Sequence, residues 1–339
     1  MPRAPALNVA IIGAMAGTNN QPVSGGVSNT SPIERLKLVV VAGPTAVGKT
    51  SLSIELAQRF GGEIVNADSR YLYQGFDIGV DKPTLAERQG IPHHLIDVLA
   101  PTAGMSLARY QDLANAAIRD IAARGQVPIL TGGTPLYINA VVEGWQIPRV
   151  PPDPAFRSQR EAEAAHDGGA SLIQRLREID PQSADRCGVN IRRVIRALEV
   201  YAATGIPMSA QEGKGPPPYE ALELGLSRPR DQLFEIIDGR VHKQIERGLV
   251  QEVLGLLAAG VPANAPAMSS IGYRQLLPYL SGSVSLDAAI ERIRFDTHRY
   301  VRHQQTWLRK NPWLVRLDVS VASWKDNAVS EVTSFLQHE

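Results

Sequence analysis

A chain of 339 residues with 44% apolar and 20% charged side chains can bury a large core, and its length favours two domains over one. A formal net charge of +1 excludes global attraction to a polyanion, so any nucleic acid must be held by basic residues gathered on one face. The single cysteine, Cys187, excludes an intrachain disulfide framework and a thiolate-rich zinc site and reads as a small buried thiol, and no apolar run approaches the roughly 20 residues that span a bilayer.

Residues 6–17 resemble a short signal-peptide core, with Arg3 before it and Ala14, Met15 and Ala16 as a cleavage-like site. The polar stretch and phosphate loop that follow favour a disordered or flexible extension over residues 1–36. Leu36 to Ala42, apolar apart from Lys37, predicts a strand buried on both faces of a parallel sheet. A glycine loop follows, then a helix with Leu52, Leu56 and Phe60 on one face that stops at Gly61 and Gly62. Glu63 to Ala67 predicts a strand, Ser106 to Arg124 an amphipathic helix and Val127 to Leu130 another buried strand. This repeated βαβ order implies an α/β core.

Near Trp145 to Pro154 the chain becomes proline-rich, and Ala155 to Gly205 reads as helices broken at Gly168, Gly169 and Pro181. A second Gly/Pro stretch, Gly213 to Pro218, precedes a strand at Leu222 to Leu226 and one long helix from Arg230 to Ala259. Leu286, Ala289, Ile293, Thr297, Tyr300, Gln304 and Trp307 mark a late helical stripe before a last strand at Leu314 to Val319. The domains expected are an α/β core over residues 37–141 and 220–339 and a helical insertion over 142–219.

Gly43, Pro44, Thr45, Ala46, Val47, Gly48, Lys49 and Thr50 match G-x-x-x-x-G-K-[ST] between a buried strand and a helix, the context this ATP-type nucleotide-binding motif requires. Backbone N–H groups at the helix N-terminus can cradle a diphosphate, Lys49 neutralises charge and the Thr50 hydroxyl can ligate Mg²⁺. Asp68 sits just past the second strand, where open α/β sheets bind ligands; it reads either as a base or metal ligand or as a cap on a following helix. Thr131, Gly132, Gly133 and Thr134 end the later strand in the same crevice, as a ligand-approaching turn or a plain strand-to-helix turn. Arg186, Arg192, Arg193 and Arg196, and then Arg292, Arg294, Arg299, Arg302, Arg309 and Lys310, form two basic groups interrupted only by Asp296 in the second. They are either solvated helix faces or a confined phosphate footprint. His93 and His94 lack a partner at ligand spacing, so a structural or substrate-loop role is expected and no metal there.

Together GPTAVGKT (43–50), NADSRYLY (66–73), FDIG (76–79) with Lys82 and Pro83, PHHLID (92–97), GGTPLY (132–137), RRVIRALEVY (192–201), SSIGYRQ (269–275) and QTWLR (305–309) resemble the bacterial tRNA dimethylallyltransferases, in their order and spacing. The resemblance covers nearly everything after residue 36. It implies a P-loop parallel-sheet core with an inserted helical domain, the two clasping a tRNA anticodon stem-loop. It also implies transfer of a dimethylallyl group from dimethylallyl diphosphate to N6 of the adenosine 3′ of the anticodon. By that resemblance Asp68 receives the N6 proton, Lys49, Thr50 and Mg²⁺ bind the departing diphosphate, and Thr134 lines the meeting point. Residues Asp68, Ser69, Arg70, Tyr71, Thr134, Arg157, Arg192, Arg193, Val194, Ile195, Arg196, Ser269, Ser270, Ile271, Gly272, Tyr273 and Arg274 would meet tRNA.

The chain departs from the family pattern at Val47, Asp81 and His303, and at Ile236, where an arginine directed at the diphosphate is usual. Arg240, one helical turn on, is expected to supply that charge. A cytoplasmic monomer without membrane attachment is expected. The rival readings are a small-molecule kinase, an adenylate isopentenyltransferase, and a tRNA-binding relative that has lost catalysis.

Overall fold

A computed structural model describes residues 35–338 of the chain. The signal-like stretch, and all but the last two residues of the extension expected over 1–36, lie outside the described residues. β1 (Leu36–Ala42) enters the glycine loop and α1 (Lys49–Phe60) leaves it, ending at Gly61 in the left-handed conformation that a glycine C-cap supplies. β2 (Gly62–Asn66), β3 (His93–His94), α2 (Leu107–Ala123), β4 (Val127–Gly132), α3 (Pro135–Val142) and β5 (Trp145–Gln146) follow. Ser106 caps α2 by accepting the Arg109 N–H. Next come α4 (Pro154–Asp167), α5 (Ala170–Ile179), α6 (Pro181–Cys187), α7 (Ile191–Thr204), α8 (Met208–Gln211) and β6 (Gly213–Lys214). The chain closes with β7 (Tyr219–Ser227), α9 (Arg230–Glu246), α10 (Leu249–Ala258), α11 (Tyr273–Leu280), α12 (Leu286–Lys310), β8 (Val315–Asp318) and α13 (Trp324–Gln337).

Six strands form a parallel sheet in the order β3-β2-β4-β1-β7-β8. Because successive strand residues face opposite sides, Leu38, Val40 and Ala42 of β1 pack with Tyr110, Ala114 and Ile118 of α2, while Val39 and Val41 pack with Leu52 and Leu56 of α1 and Val332 of α13. Both faces are thus covered, which is why β1 is apolar without alternation. β4 fills the gap between β1 and β2, so the turns after these three strands emerge side by side at one sheet edge, the usual ligand crevice of open α/β sheets.

α4, α5, α6 and α7 close around a separate apolar cluster that includes Ala164, Leu172, Leu176, Val194, Ile195 and Leu198. The short antiparallel pair β5 and β6 joins Trp145 to Lys214 where the chain leaves for these helices and returns. The helix expected over residues 230–259 is two: Gly248, at φ 97°, breaks it between α9 and α10. The left-handed conformation there ends a helix and favours glycine. Cys187 is half-buried. Among the described residues no helix is long and apolar enough to cross a membrane.

Candidate active site

The turns after β1, β2 and β4 open onto a cleft of about 630 Å³, whose walls include Thr45, Asp68, Thr134, Arg240, Arg274 and Tyr300. Of the glycine loop, Thr45 lines this cleft, while Lys49 is not among the lining residues. Ala46 at φ 64° and Gly48 at φ 107° both take the left-handed conformation, and a Cβ on Gly43 would stand 2.8 Å from Val47. Lys49 donates to the Pro44 carbonyl at 2.7 Å. Burial pulls its ammonium down to about 8, against the attraction of Asp68 and with a smaller push from Arg240.

Arg240 of α9 reaches the same loop, donating from Nη1 to the Thr45 hydroxyl at 3.0 Å and from Nη2 to the Val80 carbonyl at 3.3 Å. Asp81, which departs from the family pattern, takes the Nε side at 3.3 Å and also pairs with Arg247. Ile236 is 40% exposed and is not among the cleft-lining residues, whereas Ile237, Arg240 and Val241 are. The arginine that faces the loop is therefore Arg240.

Thr50 lines a second depression of about 500 Å³, shared with Ser51, Glu55, Asp81 and Glu87. Among the described residues no three His, Cys, Asp or Glu side chains converge as a metal cage. The Thr50 hydroxyl is a hard oxygen donor, and a single such donor fits Mg²⁺, which keeps several waters and takes its remaining ligands from substrate phosphates. His94 instead bonds Glu63 at 2.6 Å across the edge of the sheet, and Arg124 pairs with the same carboxylate. These bonds, that to Arg124 foremost, hold Glu63 down at about 2, while His93 Nδ1 bonds the Ile91 carbonyl at 2.8 Å, so both rings are engaged within the fold.

Asp68 and Thr134 line the cleft as well. Asp68 Oδ1 accepts the Arg70 N–H at 2.9 Å, a local turn with no helix after it, and Oδ2 has no partner among the described residues. The Thr134 hydroxyl accepts the Ser69 N–H at 3.0 Å, while the Thr134 N–H donates to the Ala67 carbonyl. A Cβ on Gly132 would lie 2.2 Å from the Ala67 carbonyl, and one on Gly133 2.5 Å from Gln304 Nε2. The close approach that these glycines permit is to the protein itself.

The residues expected to meet RNA divide into three groups. Asp68, Ser69, Arg70, Thr134, Ser269, Ser270, Ile271 and Arg274 line the cleft, with Arg70 Nη1 bonded to the Ser269 hydroxyl at 3.2 Å. Gly272 and Tyr273 instead start α11, where the buried Tyr273 hydroxyl reaches Glu252 and receives the Gly79 N–H, and Tyr71 bonds the Asp81 carbonyl. On α7, Arg192 and Arg193 are exposed, but Val194 and Ile195 are buried in the helical cluster. Arg157 and Arg196 both pair with Glu199, itself 3% exposed, and Arg196 also bonds the Val150 carbonyl.

Sequence reasoning passed over two buried polar side chains that line the cleft, Asp296 and Gln244, and the half-buried Glu252 behind them. Asp296 accepts from Arg274, Gln275 and Arg292. Gln244 donates to the Ile78 and Gly79 carbonyls, and Glu252 accepts the N–H groups of Asp77 and Ile78. The signal was there in part, since Asp296 alone breaks a basic run and is one of the few acids on its helix.

Residues 71–311 match the family model described as IPP transferase, a span that opens after the glycine loop. The chain is 52% identical over 307 residues to a tRNA dimethylallyltransferase of Thermomicrobium roseum, covering 90% of this chain and 93% of the relative. With a tRNA dimethylallyltransferase of Roseiflexus sp. it shares 49% over 302 residues, covering 89% and 99%. Among solved structures it resembles the full-length tRNA isopentenylpyrophosphate transferase of Bacillus halodurans at 37% identity and a TM-score of 0.65, covering 88% and 95%. It also resembles a eukaryotic dimethylallyltransferase acting on tRNA, at 30% identity and a TM-score of 0.73, covering 88% and 77%.

Proposed function

The chain belongs to the IPP transferase family, and from that premise we propose that its cleft transfers a dimethylallyl group from dimethylallyl diphosphate to N6 of the adenosine 3′ of a tRNA anticodon. The observation that carries this reading is the meeting of two sets of residues in one cleft: Asp68, with Oδ2 open, and Thr134 after β2 and β4, and Thr45 with Arg240 bonded to it.

In the reaction the C1–O bond of the donor breaks, an N6–C1 bond forms, the N6 proton passes to Asp68 and diphosphate departs. An exocyclic amine is a poor nucleophile because its lone pair is delocalised into the ring. A carboxylate accepting its hydrogen raises electron density on nitrogen as the bond forms. Charge grows on the leaving diphosphate in the same step, where the loop N–H groups, Lys49 and Arg240 stabilise it more than they stabilise the bound donor. Mg²⁺, held by Thr50, would supply further charge neutralisation on the diphosphate. The ATP-type loop thus serves a prenyl diphosphate rather than a phosphoryl donor.

The target base must leave its stack to reach Asp68, and Arg70, Ser269 and Arg274 line the cleft it would enter. The exposure of Arg192 and Arg193 on α7 supports their holding the RNA backbone. A monomer acting in the cytoplasm suits this chemistry. The test is a matrix of donors and acceptors: dimethylallyl diphosphate or ATP against tRNA or adenosine monophosphate. Incorporation is expected only with dimethylallyl diphosphate and tRNA. A prenylated mononucleotide, or phosphoryl transfer from ATP, would replace this reading with an adenylate isopentenyltransferase or a kinase.

A further inference from the structure

Gln304 is a polar residue in the buried stripe of α12, 2% exposed, with both ends of its amide committed. Oε1 accepts the Thr45 N–H of the glycine loop at 3.0 Å. Nε2 donates to the Gly133 carbonyl, next to Thr134, at 2.7 Å. The Tyr300 hydroxyl, one turn earlier on the helix, donates to the same carbonyl at 3.2 Å. The fit is tight, because a Cβ on Gly133 would collide with Nε2 and lie 3.4 Å from the Gly43 carbonyl. Arg240 holds the same Thr45 through its hydroxyl.

We propose that Gln304 is a positioning residue that sets the separation between the diphosphate side of the cleft and the acceptor side; this rests on the function proposed above. The glycine loop follows β1 and the Thr134 turn follows β4, and the strands pair only as far as Ala42 and Gly132. Beyond that point the Gln304 amide is a direct bridge between the two turns. Transfer requires the donor carbon and the acceptor nitrogen to meet in line, and a displacement of about 1 Å in such an arrangement can cost about 10²-fold in rate. A bridge that fixes this gap acts on rate more than on affinity, because the loop amides, Lys49 and Arg240 still bind the diphosphate without it.

The test is Gln304→Met, which keeps the volume and removes both hydrogen bonds. Diphosphate affinity is measured by calorimetry with inorganic pyrophosphate and Mg²⁺, and single-turnover prenyl transfer is measured on tRNA. The expected result is affinity within about threefold of wild type and transfer slowed by about 10-fold to 10²-fold. Transfer at the wild-type rate, or affinity falling as far as the rate, overturns the proposal; the latter marks Gln304 as plain support for the loop. Should the Met variant lose its cooperative thermal transition, Gln304→Asn is the second variant. It keeps a buried amide but is one methylene too short to span Thr45 and Gly133, and the same split is expected. A wild-type protein that leaves tRNA unmodified defeats the functional reading itself, whereas an active wild type with an unaffected variant defeats only the role of Gln304.

Discussion

Asp68 shows how far a single residue can be read before the fold is known. Its place after a buried strand put it in the crevice, yet base and helix cap remained open because both need a carboxylate at a strand end. The structure removes the cap, since its one bonded oxygen serves a local turn and no helix follows. Asp68→Ala is expected to slow transfer by about 10²-fold to 10⁴-fold while pyrophosphate affinity, read by calorimetry, stays within a few-fold. Transfer within about threefold of wild type would deny Asp68 the role of base. Lys49 yields a second prediction. Its ammonium is drawn down to about 8 by burial, and a bound diphosphate would raise it again. Binding therefore takes up a proton at Lys49 above that pH, so pyrophosphate affinity, corrected for the ligand's own ionisation, should hold steady below about pH 8 and weaken above it by up to about tenfold per unit. Affinity unchanged between pH 8 and 9.5 would mean the lysine is not titrating against the ligand.

At the scale of elements, helical spacing carried much of the information, and the exceptions have identifiable causes. The resemblance marks position 236 as one that usually carries an arginine, the four-residue offset puts Arg240 on about the same helix face, and α9 brings Arg240 to Thr45. Arg240→Ala should cut kcat by about tenfold or more, near 1.4 kcal/mol, whereas Ile236→Arg should change little because residue 236 does not line the cleft. Full kcat in Arg240→Ala would leave the leaving group to Lys49, Mg²⁺ and the loop amides. On α7 the run of arginines looked uniform in sequence but is not. Glu199 lies three residues after Arg196 and forty-two after Arg157, and it draws both into a buried pairing. Arg192→Ala with Arg193→Ala should therefore flatten the plot of log affinity against log salt by about 1.4, at about 0.7 per contact. Arg196→Ala should chiefly lower thermal stability, by about 1–3 kcal/mol, because it leaves the buried Glu199 short of a partner. A steeper loss of salt dependence from Arg196 than from the exposed pair would reverse this division. The break at Gly248 is not legible in the sequence because apolar residues continue on both sides of it and glycine is tolerated inside helices. α3 was equally opaque, being apolar nearly all round and so without an amphipathic period.

For the whole molecule, the α/β class and the helical character of the middle segment were legible because buried parallel strands and broken amphipathic helices leave distinct patterns. The strand order was not. Which strands become neighbours depends on how crossovers pack, and nothing local to β4 says that it slots between β1 and β2. That insertion is what brings Thr134 beside Asp68 and the glycine loop: one crevice for these turns is readable from strand ends, but not which strand lies between the other two. Gln304 was hidden for the same reason: its partners lie 259 and 171 residues away in the chain. The central claim is that these walls join a prenyl donor to a tRNA base, and it is tested most directly by incubating the protein with tRNA, dimethylallyl diphosphate and Mg²⁺, then digesting the RNA and weighing its nucleosides. The account predicts N6-dimethylallyladenosine, located 3′ of the anticodon, from the wild-type protein and almost none from Asp68→Ala. Unmodified adenosine in the wild-type reaction, or equal product from the two proteins, would contradict it.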